Sequence, residues 1–332
     1  MTWRNELNKN SMGGTEIVMQ RLVDEFGDYL TSKFQVIPTR VRELQDDKIR
    51  ILWIHDTEED PECQHLANEG WKKFHKIVFV SHTQMNDFIR KFHIPYSSCT
   101  VIANSILPIE VNLDEKSYDR IELVYTPTPH RGLALLVPVF KELYETFGNA
   151  IHLHVYSSFK LYGWGDRDKA FEPLYDEIRR HDGMTYYGTV SNEELKESLK
   201  SKHIFAYPSI WKETGCICLM EAMSAGLACV HSSLGALPET SSNWTFMYDF
   251  NEDHQKHANV LYDSLKHVIS LMKSDSRPLG ELKTQKSYAD LFYSWELRKL
   301  QWAQLLSSLE LEFDGKDLKV PDTTRKFLYS AI

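Results

Sequence analysis

The chain has 332 residues, of which 42% are hydrophobic and 26% are charged, and its net charge is −9. This length and composition predict a soluble globular protein with two domains of ordinary size. The acidic balance argues against a protein that follows a nucleic-acid backbone, because such proteins carry basic surfaces.

No run of about 18 apolar residues occurs, and the first ten residues contain charged side chains where a signal peptide would need an apolar core. We therefore expect neither a membrane span nor a secretory signal. The five cysteines are odd in number and show no CxxC spacing, so we interpret them as reduced thiols of a cytoplasmic protein.

Short apolar runs alternate with amphipathic stretches along the chain, which predicts an α/β protein with mostly parallel sheets. In the first part, strands are predicted at 35–38, 49–54, 76–80 and 100–103, and helices at 16–26, 62–74 and 83–92. In the second part, strands are predicted at 121–125, 150–156, 184–187, 203–207, 227–231 and 245–248. The helices predicted there are 132–147, 168–180, 192–200, 214–225, 253–272 and 288–309.

The segment 107–118 is polar, contains a proline and interrupts the periodicity, so it predicts a domain boundary. It separates a first domain at 1–112 from a second domain at 113–287. The first domain is short for a doubly wound sheet, and residues 1–10 make a poor first strand.

The strongest signal for chemistry is the segment 212–226, which follows a predicted strand and a turn. We expect a helix to begin near Thr214 and to end at Gly226. The amides of Thr214, Gly215 and Cys216 and the helix dipole would favour an anion such as a diphosphate. Gly215 would let that anion approach the backbone closely.

Two glutamates frame this helix. Glu213 lies just before the predicted start, and Glu221 lies eight residues later, roughly 12 Å along a helix axis at the standard rise. They could therefore contact two parts of one ligand. The alternative is that Glu213 is a charge at a helix N-terminus and Glu221 a solvated surface acid.

The Glu-x7-Glu pair, the sequence EAMSAG at 221–226 and the sequence LGALPE at 234–239 resemble the retaining glycosyltransferases of family 4, also called group 1. Further similar segments occur in the same order, and the resemblance runs from about residue 11 to about residue 306. These segments are SMGGTE at 11–16, His55 after the strand 51–54, FVS at 79–81, VIAN at 101–104 and TPTPHRG at 126–132.

This resemblance implies the GT-B fold, with two Rossmann-like lobes facing each other across a cleft and a shortened N-terminal lobe. It implies transfer of a sugar from a nucleotide-diphosphate sugar, UDP- or GDP-linked, to a hydroxyl of a glycan or lipid-linked acceptor. The reaction would retain the anomeric configuration and would need no metal and no bound cofactor.

The resemblance also assigns roles to particular residues. Glu213 would hold hydroxyls of the donor sugar, Glu221 would bind the ribose, and His55 would stabilise charge near the reacting carbon. Three groups would hold the diphosphate or the base; they are Arg131 with Gly13 and Gly14, the amides of Thr214, Gly215 and Cys216, and the loop Gly188, Thr189 and Val190. The plainer alternatives are a loop turn for Gly13 and Gly14 and a hydrogen-bonded strand end for His55.

The chain departs from the family pattern at two places. The phosphate loop has Thr126 where the family has an arginine, and Arg131 where it has a lysine. Arg131 could still form a forked pair with phosphate oxygens. The family's glycine-phenylalanine-glycine is replaced by Thr214, Gly215 and Cys216, which resembles a subgroup with ETSCIT-like sequences.

Other segments leave two interpretations open. The helix at 288–309 resembles the terminal helix that crosses back to the first lobe in this fold, which leaves a tail at 310–332, and it could equally be an ordinary core helix. Segments 71–74 and 88–92 mix basic and aromatic residues, which fits core packing with snorkelling lysines or peripheral contact with a membrane surface.

The acidic run at 55–60 contains no Asp-x-Asp pair, so we interpret it as a solvated loop and not as a metal site. A nicotinamide dehydrogenase is disfavoured, because no GxGxxG follows a strand. A sugar-nucleotide epimerase of related fold and a non-catalytic nucleotide-sugar-binding module remain alternatives. The oligomeric state stays open.

Overall fold

The computed structural model describes residues 13–319, which fall into two compact units. The first contains residues 13–105 and 295–319, and the second contains residues 106–294. The sequence placed these boundaries at 112/113 and 287/288.

The strands are β1 (Phe34–Pro38), β2 (Ile49–Ile54), β3 (Lys76–Phe79), β4 (Cys99–Val101), β5 (Ile121–Tyr125), β6 (Ile151–Val155), β7 (Met184–Tyr186), β8 (Ile204–Tyr207), β9 (Ala228–Ser232) and β10 (Phe246–Tyr248). The helices are α1 (Gly14–Lys33), α2 (His82–Phe92), α3 (Leu133–Phe147), α4 (Glu172–Arg180), α5 (Asn192–Leu199), α6 (Ile217–Ser224), α7 (Leu237–Ser241), α8 (His254–Lys273), α9 (Leu279–Phe292) and α10 (Trp295–Phe313).

The first unit is built on a parallel sheet in the order β1-β2-β3-β4. Every residue of β2 is buried, as expected of a parallel strand covered on both faces. Helix α10 belongs to this unit, where Trp302 packs edge-on against Trp53 with 4.8 Å between ring centroids. Helix α1 bends at Gly27, whose φ of 46° only glycine adopts readily.

The helix predicted at 62–74 is wrong. The segment forms two short 3₁₀ turns, Pro61–Leu66 and Gly70–Lys73, separated by left-handed residues that include Glu69 with φ 63°. A Cβ at position 70 would overlap the carbonyl oxygen of His65, so the two turns approach at a glycine. Trp71 is buried in the core of the first unit, which agrees with the core-packing interpretation of segment 71–74.

The second unit is built on a parallel sheet in the order β10-β9-β8-β5-β6-β7. The strand order reverses between β5 and β8, which are neighbours. In open α/β sheets ligands bind outside the carboxyl ends of the strands at such a switch point. The loops that follow β5 and β8, at 126–132 and 208–216, begin at this point.

The single helix predicted at 288–309 is also wrong, since α9 ends at Phe292 and α10 begins at Trp295. The carbonyl of Tyr293 accepts a hydrogen bond from the amide of Ile106, and the Tyr293 hydroxyl donates to the carbonyl of Thr240. These bonds hold Tyr293 in the second unit and interrupt the helix. Within residues 13–319, none of the helices combines the length and the apolar composition needed to cross a bilayer.

Candidate functional site

Two loops of the second unit are in backbone contact at the switch point. The amide of Ile210 donates a 3.2 Å hydrogen bond to the carbonyl of Arg131. Gly132 has φ 133°, and a Cβ at this position would overlap the carbonyl oxygen of Pro208. A glycine is therefore required where the loop after β5 meets the loop after β8.

An arginine, a glutamate and a tyrosine meet between these loops. Nη1 of Arg131 donates a 2.6 Å hydrogen bond to Oε1 of Glu213. The hydroxyl of Tyr207, the last residue of β8, donates to the same oxygen. Glu213 is only 6% exposed and Tyr207 is fully buried. Oε2 of Glu213 accepts none of the hydrogen bonds found among residues 13–319.

The charges of this group stabilise each other. Burial opposes the charge on Arg131, but the carboxylate of Glu213 and three neighbouring acidic side chains together outweigh it, so the pKa of the guanidinium is raised further above its ordinary value. Burial, and after it the same carboxylate, raises the pKa of Tyr207, so the phenol stays a hydrogen-bond donor. Nε of Arg131 is buried without a hydrogen-bond partner in the described chain. An oxyanion is the acceptor that such a group pairs with best.

Helix α6 begins three residues later than predicted. The carbonyl of Glu213 accepts a 2.8 Å hydrogen bond from the amide of Ala236, and Glu213 forms a parallel bridge with Gly235. This bridge holds Glu213 extended, so the helix starts at Ile217, with Cys216 before it. The amides without an acceptor inside the helix are therefore those that follow Cys216, not those of Thr214 to Cys216.

Two thiols lie at the start of α6. The side chains of Cys216 and Cys218 are hydrogen-bonded to each other, and Cys218 also bonds the side chain of Thr126. The bond between the thiols lowers the pKa of Cys218 and raises that of Cys216. Thr126, which stands at the family's arginine position, thus lies against the first turn of α6.

Glu221 and the loop after β7 lie next to each other. Glu221 is 5% exposed, which excludes the solvated surface acid that the sequence left open. Nδ2 of Asn192 approaches Oε1 of Glu221 at 3.5 Å. Thr189 and Val190 are half-buried in the same loop, where Oγ1 of Thr189 is buried without a partner in the described chain.

Three predicted site residues belong to the first unit. Gly14 is the first residue of α1, and Gly13 precedes it and accepts a 3.1 Å hydrogen bond from the amide of Ile17. His55 directly follows β2, and its amide donates a 2.8 Å hydrogen bond to Oγ1 of Thr39. Burial lowers the pKa of His55 to about 3, so its imidazole is neutral at pH 7.

The structure thus brings Arg131, Glu213 and the start of α6 together in the second unit. It places Glu221 and the loop with Thr189 in that unit as well. Gly13, Gly14 and His55 lie in the first unit. The ligand roles of all these residues remain predictions.

Two residues of this site were missed by the sequence analysis. Tyr207 ends a predicted strand at the sheet edge where ligands bind, and this position was the signal that could have found it. Trp211 lies two residues before Glu213 and is 44% exposed, with the Arg131 guanidinium 5.7 Å from its ring centroid. A single tryptophan in a loop carries no sequence signal of that kind.

Comparison with known proteins finds a family match within the second unit. Residues 123–268 match the family model described as glycosyl transferases group 1. This segment contains the Arg131–Glu213 pair, Glu221 and the loop with Thr189 and Val190. The predicted resemblance to group 1 glycosyltransferases is confirmed at this level.

Curated relatives found by sequence comparison are also named as glycosyltransferases or as subunits of one. The chain is 23% identical over 223 residues to a phosphatidylinositol N-acetylglucosaminyltransferase subunit of Homo sapiens, covering 66% of this chain and 43% of the relative. It is 24% identical over 229 residues to an uncharacterized glycosyltransferase of Methanocaldococcus jannaschii, covering 60% of this chain and 56% of the relative. The chain therefore spans about half the length of these relatives.

Solved structures show the same fold. Sucrose-phosphate synthase from Thermosynechococcus elongatus superposes with a TM-score of 0.65 at 16% identity, covering 90% of this chain and 79% of that one. HepE of Anabaena, in complex with UDP-glucose, superposes with a TM-score of 0.62 at 14% identity, covering 79% and 72%. The predicted GT-B class of α/β fold is confirmed.

Proposed function

We propose that this chain, whose second unit matches the group 1 glycosyltransferases, transfers a sugar from a nucleotide-diphosphate sugar to an acceptor hydroxyl and retains the anomeric configuration. The observation that carries the proposal is the hydrogen-bonded group of half-buried Arg131 with buried Tyr207 and Glu213 at the switch point of the second sheet. It presents a cation for a diphosphate and an oriented carboxylate for sugar hydroxyls side by side.

Arg131 supplies the main electrostatic stabilisation in this proposal. As the bond between the anomeric carbon and the β-phosphate oxygen breaks, its electron pair moves to that oxygen and negative charge grows there. A guanidinium held by Glu213 is already oriented when this charge develops, so little reorganisation is needed. The amides of the first turn of α6 add positive potential at the same side. With these groups in place the leaving group needs no divalent cation.

Glu213 holds the transferred sugar. Arg131 and Tyr207 both donate to Oε1, so the carboxylate is fixed in orientation, and Oε2 is directed to a sugar hydroxyl. The acceptor hydroxyl attacks the anomeric carbon from the face that the diphosphate leaves, and its proton passes to the departing phosphate oxygen. This same-face attack retains the configuration.

The remaining residues bind the rest of the donor. Glu221 accepts hydrogen bonds from the ribose hydroxyls, and the loop with Thr189 and Val190 supports the base. The approach of Asn192 to Glu221 supports this pairing, because Asn192 begins the helix that follows the loop with Thr189 and Val190. His55, neutral at pH 7, contributes a hydrogen bond near the reacting carbon and not a positive charge. The backbone at Gly13 and Gly14 contacts the diphosphate.

The relatives narrow the first substrates to test. The human relative is named for transfer of N-acetylglucosamine, and HepE is described with UDP-glucose. We therefore propose a UDP-sugar as donor and a glycan or a lipid-linked sugar as acceptor, on the cytoplasmic side of a membrane.

The test has two parts. Thermal unfolding is measured with UDP, GDP and ADP at millimolar concentration, and UDP is expected to raise the midpoint most. UDP-N-acetylglucosamine and UDP-glucose are then incubated with simple sugar acceptors, and the products are identified by mass spectrometry and by anomeric NMR. Stabilisation without any transfer or donor hydrolysis would favour the binding-module alternative, and loss of acceptor dependence would favour the epimerase.

A further inference from the structure

Trp211 is an exposed aromatic residue in a fixed position beside the proposed donor site. Its side chain belongs to the second unit and is 44% exposed. Oγ of Ser209 donates a 2.8 Å hydrogen bond to the carbonyl of Trp211 and accepts one of 3.3 Å from its amide. The carbonyl of Ser209 in turn accepts a 2.8 Å bond from Oγ of Ser232. The loop that presents the indole is thus anchored to the sheet.

The indole ring is also held by its neighbours. The imidazole of His130 meets it edge-on, with 4.9 Å between ring centroids. His130 itself stacks on Phe159 at 5.1 Å, so the loops after β5, β6 and β8 all contribute to the cluster. The guanidinium of Arg131 lies over the ring, 5.7 Å from its centroid. An aromatic surface held in this way loses little conformational freedom when a ligand covers it.

Arg131 connects this surface to the carboxylate of Glu213. One guanidinium contacts Oε1 of Glu213 at 2.6 Å and faces the ring of Trp211. A ligand that brings a phosphate to Arg131 and a hydroxyl to Glu213 therefore lies within a side-chain length of the indole. A pyranose ring presents hydroxyls at its edge and a row of C–H groups on its face. The chemistry next to Glu213 matches both, because the carboxylate pairs with hydroxyls and the indole packs against C–H groups.

We propose that Trp211 forms a carbohydrate subsite, in which the indole packs against the pyranose ring of the transferred sugar. This inference rests on the proposed function and adds a residue that distinguishes a sugar nucleotide from the nucleotide alone. Trp211 is then a specificity-determining residue, since the nucleoside diphosphate is held by other groups.

The experiment compares the affinities of UDP and UDP-N-acetylglucosamine by calorimetry, with UDP-glucose as a second probe. The variants are Trp211→Ala and Trp211→Phe. Trp244→Ala is the matched control, because Trp244 lies in the same unit and is 39% exposed, with its ring 6.0 Å from that of Tyr288. Melting temperatures of all variants are recorded to confirm that they fold.

Trp211→Ala is expected to weaken binding of the UDP-sugar about tenfold, which corresponds to about 1.4 kcal/mol. Its affinity for UDP is expected to stay within about twofold of the wild-type value. Trp211→Phe is expected to keep most of the affinity for the UDP-sugar. Trp244→Ala is expected to bind both UDP and the UDP-sugar as the wild type does. Equal losses for UDP and the UDP-sugar would overturn the proposal, since Trp211 would then act only by positioning Arg131. An unchanged affinity of Trp211→Ala for the UDP-sugar would overturn the proposal as well.

Transfer kinetics separate the donor sugar from the acceptor. A rise in the KM of the acceptor alone, with unchanged donor affinity, would mean that the indole packs against the acceptor ring and would overturn the assignment to the transferred sugar. If the wild-type protein binds neither UDP nor a UDP-sugar, the proposed function fails, whatever the variants do. If it binds both and Trp211→Ala behaves like the wild type, only the carbohydrate subsite fails.

Discussion

The carboxyl edges of the two parallel sheets differ in how they hold their polar groups. At the edge of the second sheet, half-buried Arg131 forms an ion pair with buried Glu213. At the edge of the first sheet, His55 lies 4.7 Å from the ring of Trp53 and is kept neutral by burial. One edge thus holds fixed charges and the other a neutral hydrogen-bonding group. The difference agrees with the proposal that the second unit binds the anionic part of the donor.

The largest expected effect comes from the carboxylate of the charged edge. Glu213→Gln keeps the shape but removes the charge, and we expect kcat for transfer to fall about a thousandfold, the scale of a lost preorganised electrostatic contact. Initial rates of sugar transfer measure it. Glu194→Gln, which changes an exposed glutamate of α5, is the control and should leave kcat unchanged.

Glu213→Ala has a second consequence. It leaves the guanidinium of Arg131 without its carboxylate, and we expect the free energy of unfolding to fall by about 2 kcal/mol, less than for a fully buried pair. Urea denaturation measures this loss. If Glu213→Ala kept both its activity and its stability, the ion pair of Arg131 and Glu213 would have no role in function.

The next effect concerns the cation. Arg131→Ala is expected to weaken UDP binding about a hundredfold, equivalent to about 2.7 kcal/mol, because the phosphate loses a charged donor. Arg131→Lys keeps the charge but loses the planar fork, so we expect an intermediate affinity. Calorimetric titration with UDP checks the order of the three proteins. Unchanged affinity in Arg131→Ala would remove this residue from the nucleotide site.

A smaller effect is expected for the phenol that orients the carboxylate. Tyr207→Phe removes one of the two hydrogen bonds to Oε1 of Glu213, and we expect kcat to fall about tenfold while the affinity for UDP stays within about twofold. Tyr125→Phe is the matched control, because its hydroxyl is equally buried but donates to the carbonyl of Thr128 at 2.9 Å. A similar loss of kcat in both variants would indicate a general packing effect.

The neutral edge predicts an effect of a different kind, on stability as a function of pH. The pKa of His55 is lowered by burial from its ordinary value of 6.5 to about 3. The unfolded chain therefore binds a proton that the folded one rejects as the pH falls below 6.5, so His55 destabilises the fold in acid. We therefore compare the free energy of unfolding of His55→Gln with that of the wild type. Their difference is expected to shift in favour of the variant by at most about 2 kcal/mol when the pH is lowered from 7.5 to 5.

Urea denaturation of both proteins at the two pH values checks this difference. Other buried histidines contribute the same slope to both proteins and cancel in the comparison. A difference that does not change with pH would show that the pKa of His55 is the same in the folded and the unfolded chain, and the contrast between the two edges would disappear.

The regular elements could be predicted closely where hydrophobic pattern alone decides them. The predicted bounds of β2, 49–54, and of β5, 121–125, agree with the structure to the residue. Each is an apolar run with one charged residue, Arg50 in β2 and Glu122 in β5, and its apolar residues are all buried. Errors occurred where tertiary contacts override local pattern. Helix α6 starts late because Ala236 holds the backbone of Glu213, and the segment 62–74 breaks at left-handed Glu69.

The sequence indicated which residues belong to the candidate site but not which of them contact each other. Glu213 and Arg131 were both selected, yet their spacing of 82 residues gives no sign that they form a 2.6 Å ion pair. That pairing follows from the sheet order, in which β8 lies next to β5. Trp211 becomes evident only when this order is known, because its partners His130 and Arg131 come from the loop after the neighbouring strand β5.

Gly132 and Gly235 have a consequence for how this protein could be altered. Each fills a point where any side chain would strike a backbone oxygen, at Pro208 and at Glu213 respectively. The two junctions join successive loops into one rigid frame, so a change of loop length at either would displace the ion pair itself. To change the sugar specificity, side chains on these loops should therefore be substituted while the loop lengths are kept. Trp211 and Thr126 are the first positions to vary.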